Sequence, residues 1–230
     1  MSKSIPKNGA LADRIYLILA ALFITSLVVS NLIFQKFVAI DFFGLYTFEI
    51  SVGVLPYPIT FLITDIVSEV YGKKKANQMV TTGIFASFFS LGIVMAANHF
   101  NAIPTSPLDN EIFTLVFGAT AVAVFASMMA YLLAQYIDIH IFHWWKKITK
   151  GKHLWLRNNF STFTSQFVDT FTVLFLLCSF GKIPWEIFSS LLISGFLFKI
   201  LVALLDTPLL YAGVYYLRRL FGLQGSEELE

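Results

Sequence analysis

The chain has 230 residues, of which 57% are hydrophobic and 13% are charged. Because an ordinary soluble domain carries about twice that charged fraction, a water-soluble fold is excluded. The formal net charge of +2 and the lack of a basic tract interleaved with aromatics give no reason to expect a nucleic-acid partner. These properties indicate one domain embedded in a lipid bilayer.

Apolar blocks of about twenty residues, long enough for a helix to cross the hydrocarbon of a bilayer, follow one another along the chain. They predict an all-α fold, an integral membrane bundle of six transmembrane helices. The predicted spans are Ile15–Phe34, Val52–Tyr71, Met79–Ala97, Phe113–Ile137, Phe160–Phe180 and Ile187–Tyr211. The bundle, 15–220, follows an N-terminal segment, 1–14, and precedes a short acidic tail, 221–230, which we expect to be mobile.

Lysine and arginine orient the bundle, because cytoplasmic loops retain basic residues and translocated loops do not. Thirteen basic residues fall on one side of the membrane: Lys3, Lys7, Arg14, Lys73, Lys74, Lys75, Lys146, Lys147, Lys150, Lys152, Arg157, Arg218 and Arg219. Only Lys36 and Lys182 fall on the other side, and Lys199 lies within the sixth span. Both termini are therefore predicted to be cytoplasmic.

Prolines and amides mark the outer ends of the first two spans. Pro56 and Pro58, in LPYPITFLITD, lack backbone donors and should prevent regular helix at the start of the second span. Broken helices expose backbone groups at solute sites in membrane proteins, although prolines near helix ends also have plain geometric roles. Asn31 and Gln35, four residues apart, either line an entrance or cap the end of the first span.

Ionisable and amide side chains lie deep in several spans, where they cost several kcal/mol unless they meet a partner or a water-filled cavity. At about 1.5 Å of rise per residue from the nearest cytoplasmic basic residue, Asp65 lies roughly 12 Å deep and Gln166 roughly 13 Å. By the same count, Asp169 and Asp206 lie roughly 18 Å deep. Together with Thr162, on the same helical face as Gln166, they predict a polar centre formed by the second, fifth and sixth spans.

The polar side chains also allow a plainer interpretation, in which they bond to one another and hold the helices together around a dry seam. For Glu69, about 6 Å from Lys73 along the helix, an interfacial salt bridge with the lysine cluster is favoured over solute contact. Lys199, seven residues before Asp206, either extends its stem outward to the membrane surface or acts electrostatically at an external gate.

Sequence motifs of enzymes and metal sites are missing: there is no GxSxG, HExxH, Walker A loop, paired CxxC or EF-hand loop. His140 and His143, three residues apart, make a poor isolated metal site. An intramembrane enzyme would also place aspartates at mid-depth, but Asp65 and Asp206 lack a protease or phosphotransferase motif. We therefore expect no enzymatic activity, no cofactor and no metal ion.

Four stretches of the sequence carry a family resemblance. The most specific is LPYPITFLITDIVSEVYGKKKA, Leu55 to Ala76, in which a proline-marked start leads to an Asp, a Glu, a Tyr-Gly and a basic run. It is supported by SNLIFQKFV from Ser30, NNFSTFTSQFVDT from Asn158 and FKILVALLDTPLLY from Phe198. In these stretches the chain resembles the queuosine precursor transporter family, six-span proteins that are placed with the vitamin uptake transporters.

The resemblance implies a multi-pass protein of the bacterial inner membrane that takes up 7-deazaguanine compounds, such as the cyano and aminomethyl precursors or queuine, for tRNA modification. A carboxylate can accept the N1–H and the amine of a guanine-like edge, while an amide donates to its carbonyl. Asp169 or Asp65 with Gln166 would supply this set, and Phe163 or Phe167 an aromatic slot. The candidate binding residues are Asp65, Gln166, Asp169, Asp206, Asn31, Thr162, Glu69 and Lys199.

Three questions stay open at the level of sequence. Small six-span vitamin-binding subunits that need a separate energising complex have a similar size and polarity, so the chain is either a transporter or such a subunit. A buried aspartate would also bind a proton, but the sequence does not show whether uptake is coupled or passive. A homo-oligomer is compatible with so small a bundle.

Overall fold

The structure is a computed structural model that describes residues 9–33, 36–44, 46–117, 121–181, 184–224 and 227–229. Within these residues six helices are long and apolar enough to cross a membrane, which confirms the predicted number. The helices are α1 Gly9–Ile33, α2 Tyr57–Val70, α3 Gly72–His99, α4 Asn110–Phe117, α5 Ala121–Ile148, α6 Leu154–Ser179 and α7 Phe188–Phe221. Gln35 and Lys182, to which the sequence assigned roles, lie outside the described residues.

The fourth span lies further along the chain than the predicted Phe113–Ile137, so that prediction was wrong. α4 is a separate helix of eight residues, and the segment that can cross the membrane is Phe125–Ile148 in α5. The apolar residues of α4 and α5 form one continuous block in the sequence, and this block does not show where the spanning segment begins. In the fold the helix continues, because Asp138 packs against the polar serines of α6.

A β-hairpin joins α1 to α2, which corrects the predicted all-α fold. Its strands are β1 Phe37–Phe42 and β2 Tyr46–Ser51, paired antiparallel so that Phe37 faces Ser51 and Phe42 faces Tyr46. The Gly44 N–H donates to Asp41 Oδ2 at 3.1 Å and stabilises the turn. Phe48 and Ile50 are buried against Phe198 of α7, so the hairpin covers one end of the bundle. Alternating apolar residues in both segments favour strands, but only helices were predicted from the sequence.

The prolines of α2 fix where that helix begins. Pro56 is the residue before the helix, and Pro58 lies in its first turn, where a missing N–H removes no intrahelical bond. Regular helix therefore starts at Tyr57, which confirms the break predicted at the start of this span. At the other end, α2 passes almost directly into α3 through Gly72, whose φ of 82° lies in the left-handed region that favours glycine.

α2 is the central helix of the bundle. It packs against α1, α3, α5 and α7, and 56% of its span is buried, against 17% for α1 and 6% for the span that contains α7. The exposed faces of the outer helices carry large apolar side chains such as Leu17 and Leu205, which suit contact with lipid. Polar side chains on α2 are consequently enclosed by protein.

The two ends of the bundle differ in charge. We call the end with Lys73, Lys146, Arg157 and Arg218 the basic end, and the opposite end, covered by β1 and β2, the hairpin end. Since loops that stay in the cytoplasm retain basic residues, a cytoplasmic location of the basic end remains the prediction.

The last described residues, 227–229, lie against the basic end. Lys146 Nζ donates to Glu228 Oε1 at 2.8 Å, and the Leu229 N–H donates to the Val70 carbonyl at 2.8 Å. A cation and the last carbonyl of α2 thus offer partners to residues 227–229. The mobility of the whole tail, 221–230, stays a prediction.

Candidate functional site

A cavity lies between α2, α6 and α7, and we call it the central cavity. Its enclosed space is about 30 Å³, roughly the volume that one water molecule occupies in the liquid. Its lining consists of Val54, Tyr57, Pro58, Phe61, Leu62, Asp65, Asn158, Thr162, Gln166, Phe198, Lys199, Val202, Ala203 and Asp206. The walls lie close together, so a flat two-ring solute would need the helices to part slightly.

The central cavity brings together five of the eight side chains selected from the sequence: Asp65, Thr162, Gln166, Lys199 and Asp206. Three helices provide them, and these are the helices predicted to form the polar centre. Asn31 and Asp169 line a neighbouring cavity, and Glu69 lies in an ionic network towards the basic end.

Four residues that line the cavity each have one buried polar atom with no hydrogen-bond partner within the part of the chain that the structure describes. These atoms are Asp65 Oδ1, Asn158 Oδ1, Thr162 Oγ1 and Gln166 Oε1, and their residues are between 2% and 5% exposed. Buried polar groups in folded proteins are nearly always satisfied. Since these oxygens all accept hydrogen bonds, a hydrogen-bond donor is what each of them lacks.

Helix periodicity explains how α6 presents this surface. Asn158, Thr162 and Gln166 are spaced four residues apart, so they form one stripe along the cavity side of the helix. Ser161 and Ser165 form a second stripe one residue away and face α5. α6 therefore carries two polar stripes, one for the cavity and one for its neighbouring helix.

Aromatic side chains of α2 and α7 form the flat part of the wall. Tyr57, Phe61 and Phe198 line the cavity, whereas Phe163 and Phe167, the candidates from the sequence, are absent from its lining. Phe167 is 44% exposed and stacks on its neighbours along α6. Because each helical residue is rotated about 100° from the one before it, the residue after Gln166 points away from the cavity.

Lys199 forms a buried ion pair with Asp169. Its Nζ lies 2.5 Å from Asp169 Oδ2, and the two side chains are 12% and 4% exposed. The ammonium also lies 5.4 Å from the centre of the Tyr57 ring, within the range of a cation–π contact. Of the two interpretations of Lys199, the structure therefore favours an inward electrostatic role over a stem that reaches the membrane surface.

A second cavity, the hairpin-side cavity, adjoins this ion pair and encloses about 300 Å³. Val54, Tyr57 and Lys199 line both cavities, so they separate one from the other. Asn31 also lines the hairpin-side cavity, where Ser127 Oγ lies 3.5 Å from its Oδ1, while its amide donates to the Leu27 carbonyl at 3.1 Å. The two cavities lie one after the other between the hairpin end and Asp65.

Glu69 is held by three cations from three helices at the basic end. Arg157 Nη1 lies 2.9 Å from Glu69 Oε2, Lys146 Nζ lies 3.2 Å from the same oxygen, and Arg218 Nη1 lies 3.4 Å from Oε1. The predicted pairing with the Lys73 cluster is therefore wrong. Lys73 lies in the first turn of α3, after the chain has changed direction at Gly72. Glu69 lies on the buried face of α2, where its partners come from α5, α6 and α7. This ionic network closes the basic end.

Asp138 is a buried carboxylate that the sequence analysis missed. It is fully buried on α5, where it accepts a hydrogen bond from Ser165 Oγ at 3.0 Å, and it contacts the Asp65 carboxyl. The depth count that selected Asp65 would have selected it too, because Asp138 stands eight residues before Lys146, or roughly 12 Å deep. It was lost because the fourth span was ended at Ile137.

The chain matches a known protein family over most of its length. Residues 51–213 match the family described as "Putative vitamin uptake transporter". The chain belongs to this family. The matched segment of the vitamin uptake transporter family begins at the last residue of β2 and includes every residue that lines the central cavity. It also includes Glu69 and Asp138, whereas Asn31 lies outside it.

The chain is also similar to an individual protein that carries a transporter name. The chain is 29% identical over 175 residues, 75% of its own length and 74% of the relative's, to a protein of Bacillus subtilis (strain 168) named "Probable queuosine precursor transporter". No solved structure matches the chain. The resemblance stated from the sequence motifs is therefore confirmed.

Proposed function

We propose that this member of the vitamin uptake transporter family imports queuosine precursors through the central cavity. The solutes are 7-deazaguanines such as the cyano and aminomethyl compounds, or queuine. The observation that carries the proposal is that four residues lining this cavity, from α2 and α6, each have a buried acceptor without a partner among the described residues. The name of the Bacillus subtilis relative supports the substrate class.

The chemistry of a guanine-like edge matches this wall. Its N1–H and exocyclic amine point in nearly the same direction, and a carboxylate such as that of Asp65 accepts both. The amide groups of Asn158 and Gln166 provide one further acceptor each, and their NH₂ groups provide donors for the ring carbonyl. Tyr57, Phe61 and Phe198 supply aromatic surface against which a flat ring can pack.

The arrangement of the cavities suggests how the solute moves. The hairpin-side cavity leads towards the central cavity, while the Glu69 network closes the basic end, as expected for one state of an alternating-access cycle. In the other state, the basic end would open and the Lys199–Asp169 pair would close the path on the hairpin side. With the basic end in the cytoplasm of a bacterium and the protein in its inner membrane, this cycle imports the solute.

The decisive test of substrate class is competition uptake in bacteria that cannot make queuosine and that express this chain. We expect unlabelled 7-deazaguanines to compete with labelled 7-cyano-7-deazaguanine, and vitamins or ordinary purines to leave its uptake unchanged. Equal competition by adenine, or by a vitamin, would contradict the proposal. Cells carrying the empty plasmid provide the background.

A second candidate function is a solute-binding subunit that requires a separate energising complex. It is favoured by the small size of the bundle. Purified chain in liposomes distinguishes the two, since a complete transporter moves the labelled solute without any other protein. Solute binding in detergent combined with no uptake into liposomes would favour the subunit.

A further inference from the structure

The buried acids of this protein divide into two groups. Glu69 and Asp169 each pair with a lysine or arginine. For Asp65 and Asp138, which are 2% and 0% exposed, no such nitrogen lies within ion-pair distance among the described residues. An ionised carboxylate without a cation costs free energy in a membrane interior, so the negative charge of Asp65 and Asp138 must be neutralised in another way.

Asp65 and Asp138 lie side by side, on α2 and α5, with their carboxyl groups in contact. Asp138 Oδ1 accepts a hydrogen bond from Ser165 Oγ at 3.0 Å. Its other oxygen and Asp65 Oδ1 have no donor within the described residues. Two acceptors in contact repel each other, and a single hydrogen atom between them converts that repulsion into a hydrogen bond.

We propose that Asp65 and Asp138 form a proton-binding site and that the bound proton crosses the membrane together with the solute. One carboxyl is protonated and donates a hydrogen bond to the other, which stays ionised, so the pair binds one proton. The serine hydroxyl of α6 holds Asp138 in place from the far side. This inference rests on the proposed transport function and specifies what drives it.

The charged groups around the pair favour proton binding. Asp206 of α7 lines the same cavity as Asp65 and carries the same sign of charge. Glu69, one turn along α2, is already paired with three cations. From α6, Asp138 meets the hydroxyls of Ser161 and Ser165. Lys199 lines the same cavity as Asp65 but is paired with Asp169. Among the described residues of α1 and α3, no lysine or arginine forms an ion pair with either carboxyl.

The position of the two aspartates indicates from which side the proton reaches them. Asp65 lines the central cavity and Asp138 lies behind it, outside the cavity lining. A proton therefore reaches Asp138 from the solute cavity through Asp65, and a solute bound to Asp65 covers that route. Proton and solute load from the same side and leave on the same side, which is cotransport in one direction.

The experiment uses purified chain in liposomes that enclose a pH-sensitive dye. Adding 7-cyano-7-deazaguanine outside should acidify the interior, and an acidic exterior should drive accumulation above the outside concentration. Asp138→Asn keeps the size of the side chain but removes the site, so substrate-driven acidification and accumulation should both be lost. Asp13→Asn, at an exposed acid on α1, is the matched control and should behave as the parent protein.

Ser165→Ala provides a second test, the pH midpoint of uptake, which should not change if Asp138 has only a structural role. Removing the hydroxyl that donates to Asp138 disfavours its charged form, so the pH midpoint of uptake should shift towards higher pH. If Asp138→Asn fails to fold, the proton flux of the parent protein and the midpoint shift in Ser165→Ala still decide the matter.

The outcomes separate coupling from transport itself. Uptake without acidification, or uptake driven by a sodium gradient with no effect of pH, would overturn the proton site and leave the proposed function intact. No uptake of any 7-deazaguanine by the parent protein would instead contradict the proposed function. Proton entry that persists unchanged in Asp138→Asn would exclude this pair as its site.

Discussion

Arg157 of α6 holds Glu69 of α2 in a two-point ion pair, with Nη1 2.9 Å from Oε2 and Nη2 3.3 Å from Oε1. The residues are 1% and 4% exposed, so this contact is deeply buried near the basic end. Planar guanidinium and carboxylate groups match each other in this geometry, which adds direction to the charge attraction. The pair therefore joins α2 to α6 at a fixed distance.

Replacing Glu69 by Gln should destabilise the protein strongly. The change leaves three cations without their shared anion, and breaking a buried ion pair from one side costs about 3 to 5 kcal/mol. Thermal unfolding in detergent, followed by tryptophan fluorescence, measures the loss. Glu111→Gln, at an exposed acid of α4, is the control, and equal melting temperatures for both variants would contradict a structural role for the network.

Removing the Gln166 amide should reduce solute binding without unfolding the bundle. Gln166→Ala deletes a buried polar group of the cavity wall that we expect to bond to the solute, a loss of about 1 to 3 kcal/mol and roughly tenfold or more in affinity. Binding of 7-cyano-7-deazaguanine by calorimetry in detergent checks this.

The control for this change lies on the same helix. Thr164→Ala removes an exposed hydroxyl that bonds to the Phe160 carbonyl of α6 itself, so affinity should stay at the parent value. A parent-like affinity in Gln166→Ala would remove Gln166 from the proposed site.

Lys199 and Asp169 should show strong energetic coupling. Lys199→Met leaves a buried carboxylate unpaired, and Asp169→Asn leaves a buried ammonium unpaired, so each single variant should melt at a lower temperature. The double variant removes both charges and should be more stable than the sum of the two losses predicts, by about 0.5 to 3 kcal/mol. Additive losses in this double-mutant cycle would mean that the 2.5 Å contact contributes little.

Gly72→Ala should destabilise the junction between α2 and α3. Its φ of 82° is strained for any residue with a Cβ, and the added methyl would also meet the Glu228 side chain. Such strain costs on the order of 1 to 3 kcal/mol. Gly92→Ala in the same helix has open space around the new methyl, so it should be neutral or stabilising. Equal melting temperatures of the two variants would argue against the requirement for glycine.

The number of spans and most of the polar centre could be predicted from the sequence because hydrocarbon thickness and charge depth impose strong rules. Asp65, Gln166 and Asp206 came together as the count of depth along their helices suggested. A depth count gives a level in the membrane but no direction around the helix axis. For that reason it grouped Asp169 with the others, although that carboxylate pairs with Lys199 beside a different cavity.

The parts that escaped prediction depend on contacts between distant segments. Asp138 resembles a loop residue in sequence because histidines and lysines follow it, and only its serine partner on α6 explains its place inside a helix. Asn158 stands next to Arg157, so a depth count places it near the membrane surface, yet it lines the central cavity. The hairpin was missed because its alternating strands occur in a stretch with glycine and acidic residues.

α2 has 14 residues, and a helix of that size extends for roughly 21 Å, well short of the ~30 Å of bilayer hydrocarbon. The 3₁₀ turn Val52–Val54 and the residues up to Pro56 complete the 19-residue segment that can cross the membrane, Val52–Val70. Regular helix therefore makes up only part of this crossing. In the proposed transport cycle, the short helix would leave a thin barrier between the two aqueous compartments, and a small movement of α2 would be enough to open it.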